Sequence, residues 1–80
     1  MYWLRTKFKA WAKSQGVHLI HDDLVFIEKI LHKLPQNLHR TLVRDFVYKW
    51  IEGMDQDENS SQNQNKGRYK ANFWLRNQLE

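Results

Sequence analysis

The chain reads as an all-α protein, a small three- or four-helix bundle with a polar loop before the C-terminal helix. Apolar residues recur at the 3.6-residue period of a helix face, and no stretch sustains the alternation of a half-buried strand. Aromatic side chains make up 14% of the 80 residues. Each removes roughly 150–250 Å² from water when buried, which offsets the small core of a chain this short. The whole chain, 1–80, is expected to form one domain.

The first helix is expected over 2–15. Trp3, Leu4, Phe8, Trp11 and Ala12 share one arc, and Gly16 supplies a C-terminal stop. Arg5, Lys9 and Lys13, spaced i, i+4, i+8, form a straight basic stripe on the other side, each step about 6 Å along the axis.

The second helix is expected over 23–34. Asp22 and Asp23 can cap free N–H groups and complement the helix dipole at its start. Leu24, Phe26, Ile27, Ile30, Leu31 and Leu34 form its apolar arc, and Pro35 closes it or opens the next helix.

A third helix over 36–52 devotes about half its circumference to Leu38, Leu42, Val43, Phe46, Val47, Trp50 and Ile51, which makes it the central helix. Gly53 is expected to end it. Residues 53–67 are almost free of apolar side chains and read as a flexible polar loop. The last helix, over 68–79, divides its apolar residues into two groups, Tyr69 with Phe73 and Ala71 with Trp74, Leu75 and Leu79. Only one group can dock on a bundle.

Charge is partitioned along the chain. Four basic and no acidic residues precede Asp22, four acids lie between Glu52 and Glu58, and Lys66, Arg68, Lys70 and Arg76 then follow with no acid until Glu80. With a net charge of +4, an anionic partner is favoured, since Lys and Arg neutralise phosphates and release counterions. Nucleic acid of unspecified type is the leading expectation. Its contacts would be Arg5, Lys9 and Lys13 on the first helix, Arg40 and Arg44 on the third, and Lys66, Arg68, Lys70 and Arg76 near the C-terminus.

A helix-turn-helix is a narrower form of that reading, with Gln36, Asn37, Arg40 and Arg44 in the first turns of a recognition helix. The competing class is a protein-binding module, such as a phage- or plasmid-type inhibitor or adaptor of a host nucleic-acid machine, on analogy of size and charge. Its partner surface would centre on Tyr69, Phe73 and Trp74, and a homodimer could use the same helix.

Other classes have little to stand on. His21 and Asp22 resemble the His-Asp doublet of metal phosphohydrolases of the HD type, over those two residues alone; the resemblance implies a metal site, whereas helix capping by Asp22 and Asp23 explains the residues without one. There is no Cys for a thiolate centre or disulfide, no Gly-rich phosphate loop, and no serine in a catalytic setting. The expectation is a non-enzymatic cytoplasmic protein with no cofactor, no metal and no membrane segment.

Overall fold

A computed structural model describes residues 1–55 and 60–80 of the chain. It is an all-α bundle. Helix α1 spans residues 2–14, π-helical over Leu4–Phe8 and α-helical over Lys9–Ser14; α2 is His21–Leu31, α3 is His39–Asp55 and α4 is Ser60–Asn77. A single 3₁₀ turn, Gln36–Leu38, leads into α3.

Helix α1 ends as its glycine predicts. Gly16 takes a φ of +84°, the Gly16 N–H donates to the Lys13 carbonyl at 3.0 Å, and the Val17 N–H donates to Ala12 at 2.9 Å. This is a Schellman closure, and it brings the following apolar residue back onto the helix. Val17 is accordingly fully buried, as is most of Leu19. The connection between α1 and α2 thus belongs to the core, which helical periodicity alone does not show.

Helix α2 starts two residues earlier than expected and ends three residues sooner, at Leu31. Asp23 rather than Asp22 does the capping: its Oδ2 accepts the Ile20 N–H at 2.9 Å, and its own N–H donates to the Ile20 carbonyl at 3.0 Å. The chain then tightens through the Lys33 and Leu34 N–H groups, bonded to Ile30 and Leu31, before Pro35.

The core joins Leu4, Phe8 and Ala12 of α1, Leu24, Ile27, Ile30 and Leu31 of α2, Val43, Phe46, Val47 and Trp50 of α3, and Ala71 and Leu75 of α4. Trp50 is fully buried, and α3 packs most extensively against α4. Leu38, placed on the apolar arc of the third helix, stays exposed in the 3₁₀ turn before α3.

The expected loop over 53–67 is corrected by the fold. Gly53 does not end α3, which continues to Asp55, and the described part of that segment from Ser60 onward is helix. Gly53 and Gly67 mark the closest approach of α3 to α4: a Cβ added at Gly53 would stand 2.9 Å from the Gly67 Cα, and one at Gly67 would run into the Trp50 ring and carbonyl. Backbone contact replaces apolar side chains there.

Among the described residues, no helix is long and apolar enough to cross a membrane.

Candidate nucleic-acid interface

Two rows of side chains meet where α1 and α3 run side by side. On α1, Trp3, Lys7 and Trp11 follow one another at i, i+4, i+8; on α3, Arg40, Arg44 and Tyr48 do the same. The rows are in register. The Arg40 guanidinium lies 5.3 Å over the Trp3 ring, and Tyr48 meets Trp11 edge to face with centroids 6.4 Å apart.

Lys7 and Arg44 occupy the middle of the two rows. Both line a cavity of about 370 Å³ whose walls are Trp3, Phe8, Trp11 and Val43, with Arg40 at one end. Three cations thus border an aromatic recess, and none of the described residues lining it is a carboxylate. Arg44 has one acidic neighbour, Asp45 at 3.3 Å, outside that lining. Like charges facing one another across a groove repel, and an anion placed between them relieves the repulsion.

The expected contacts divide sharply. Arg40 and Arg44 belong to this groove. Lys9 and Lys13 are exposed and border a shallow hollow of about 240 Å³ with His18 and Leu19. Arg5 does not continue their stripe: its Nε pairs with Glu28 of α2 at 3.1 Å and its Nη1 lies 3.4 Å from the His21 ring. A π-helical turn runs through this part of α1, with the Lys9 N–H reaching back five residues to Leu4.

On α4 the basic residues are drawn toward the protein itself. Arg68 turns inward, with Nε 2.9 Å from Oδ1 and 3.1 Å from Oδ2 of the buried Asp23, Nη1 donating to Asn65 at 2.7 Å, and its guanidinium 4.9 Å over the Trp50 ring. Its charge is engaged within the protein. Lys70 pairs with Glu52 at 3.4 Å, and Arg76 lies 5.9 Å over the Phe26 ring. Lys66 is exposed on the α4 surface.

The aromatic trio of α4 also separates. Tyr69 and Phe73 are 78% and 59% exposed, beside Arg76, whereas Trp74 packs half-buried against the core. Only the first two are largely exposed.

Lys7, Trp3 and Trp11 were not among the expected contacts. The signal was present in the i, i+4 spacing that places Lys7 between two tryptophans, but it is masked when Trp3 and Trp11 are assigned wholly to the core. Both are only partly buried.

The helix-turn-helix arrangement finds little support in this geometry. The first turn of α3 carries His39, 8% exposed and held by the Leu34 carbonyl 3.0 Å from Nε2, and Arg40 stacked on Trp3, so the helix lies in the bundle without projecting from it. The His-Asp doublet is likewise absorbed locally, His21 facing Arg5. Among the described residues, no group of three or more His, Cys, Asp or Glu side chains is placed to hold a metal ion.

In comparisons with known proteins, no family model, no curated protein and no solved structure matches the chain.

Proposed function

We propose that this is a non-catalytic nucleic-acid-binding protein whose contact surface is the groove between α1 and α3. The observation that carries the reading is the registered pair of rows, Trp3, Lys7 and Trp11 against Arg40, Arg44 and Tyr48, which sets three cations beside partly exposed aromatic rings in a recess without a carboxylate in its lining. Cations neutralise phosphates and aromatics stack bases; together they make the usual chemistry of such surfaces. Lys9 and Lys13, exposed on the other side of α1, add to the overall positive charge. The site therefore moves from the two chain ends to α1 and α3, because Arg68 and Lys70 of α4 are engaged internally.

The test is binding of labelled oligonucleotides at two salt concentrations. Affinity is expected to fall steeply with salt, and the double substitution Lys7→Gln with Arg44→Gln should reduce the logarithmic salt slope by about 2, roughly one per phosphate contact. Absence of binding to every DNA and RNA probe would refute the reading. A cytoplasmic site of action is part of the proposal, in keeping with a cysteine-free chain.

A second reading rests on Tyr69 and Phe73, one helical turn apart and largely exposed. A host protein, or a second copy of the chain, docked there would bind with little salt dependence, in contrast to the groove.

A further inference from the structure

We infer that the nucleic acid taken by the α1–α3 groove is single-stranded, with successive bases seated on either side of the Trp3–Arg40 stack. The inference rests on the nucleic-acid reading above and adds the form of the ligand.

The shape of the surface is the first argument. Proteins that read a duplex push a helix or ribbon into one of its grooves, because base faces inside a duplex are covered by their neighbours. Here the aromatic surface is a recess between two helices. Trp3 and Trp11 can meet the face of a base only when that base is unstacked and turned outward.

The second argument is that the recess continues past Trp3. A larger cavity, about 860 Å³, lies on its other side, bordered by Trp3 and Arg40 as well as by Gln36, Asn37, His32 and His39. Trp3 and Arg40 thus stand as a partition shared by two adjoining spaces. One space offers tryptophan rings and the Lys7 and Arg44 cations; the other adds the side-chain amides of Gln36 and Asn37, which can pair with base edges that a duplex would hide. A strand crossing the partition would set its phosphates along Arg40 and Arg44, one helical turn apart, about 6 Å along the axis.

The experiment compares three fluorescently labelled probes of equal length with the intact protein: a mixed-sequence single strand, the corresponding duplex, and an abasic single strand that keeps the sugar-phosphate backbone. The single strand is expected to bind at least about tenfold more tightly than either of the others, the scale of one or two lost stacking contacts. Trp3→Leu should reduce single-strand affinity by about tenfold and leave the salt slope unchanged, whereas Lys7→Gln should reduce the slope.

Equal or tighter binding of the duplex, or equal binding of the abasic strand, would overturn the inference while leaving the nucleic-acid reading in place. Failure of all three probes to bind would remove both. Because the probe comparison uses the unmodified chain, it decides the matter even where Trp3→Leu perturbs folding.

Discussion

Gln64 holds three partners from elsewhere in the chain with one side-chain amide. Its Oε1 accepts the buried Trp50 indole N–H at 3.0 Å and the His18 N–H at 3.1 Å, and its Nε2 donates to the Gly16 carbonyl at 2.7 Å. Gln64→Ala leaves the indole N–H of a fully buried tryptophan without an acceptor, so a loss of about 1–3 kcal/mol is expected in urea denaturation. Arg68 works beside it. Asp23 is 3% exposed, and Arg68 is its main counter-charge. Removing Arg68 strands that carboxylate, and Arg68→Gln should destabilise by about 2–3 kcal/mol, between the values for surface and fully buried pairs. Oligonucleotide affinity of the folded variant should stay within about twofold of the parent, since the proposed phosphate contacts lie elsewhere; a reduced salt slope for Arg68→Gln would reopen its role as a contact. Neither residue's role was legible in the sequence. Gln64 reaches Gly16 and His18, and Arg68 reaches Asp23, each across more than 40 positions, to groups whose location depends on the finished fold. Lys7 is different, because its place between Trp3 and Trp11 is written in local spacing and needs only the recognition that the tryptophans are half-exposed.

The α3–α4 pair shows what a helix can conceal when read by composition. Apolar arcs identified α1, α2 and α3 and most of their buried residues, because those helices dock through side chains. The N-terminal half of α4 docks instead through Gly67 against Gly53 and Trp50, and through polar anchors, so its sequence carries no apolar stripe and resembles a loop. Gly67→Ala is therefore expected to cost more than a helix-propensity scale suggests. Propensity alone favours Ala over Gly by about 1 kcal/mol, yet the added methyl meets the Trp50 backbone, and overpacking of this kind destabilises by roughly 1–3 kcal/mol. A Gly67→Ala protein with a raised melting temperature would contradict the close helix crossing. Trp50→Ala should lose about 3–5 kcal/mol, as expected for a large aromatic at the centre of the bundle. In α1, Arg5 pairs with Glu28 of α2 and Lys7 borders the groove with α3, so a single helix serves one partner element with structure and another with the proposed ligand surface.

Across the whole molecule, charge separates into cations that hold the fold and cations that face outward. Arg5, Arg68 and Lys70 pair with Glu28, Asp23 and Glu52, while Lys7, Lys9, Lys13 and Arg40 are exposed beside cavities. The net charge of +4 indicated an anionic partner but could not show this division, which depends on where the acids fold. At Glu52 the hydrogen bond from Lys70 and the charge of Lys49 hold the carboxyl below its ordinary value of 4.5. A carboxyl lowered in the folded state stabilises above its unfolded value and loses that contribution as pH falls through the folded one. Glu52→Gln should thus lower the melting temperature slightly at pH 7 and make no difference in strong acid; an effect that persists unchanged there would assign it to packing.

The placement of the tryptophans also gives the protein separate optical reporters, once Trp74 of α4 is replaced by Phe to leave the groove pair and Trp50. Trp50 is fully enclosed, between the Gln64 amide and the Arg68 guanidinium, so its emission should be blue-shifted and should change only when the bundle opens. Trp3 and Trp11 sit half-exposed at the edge of the groove, within reach of added quenchers such as iodide or acrylamide. Quenching that spares the blue edge of the spectrum would follow occupancy of the groove and integrity of the core in one cuvette, with no label attached.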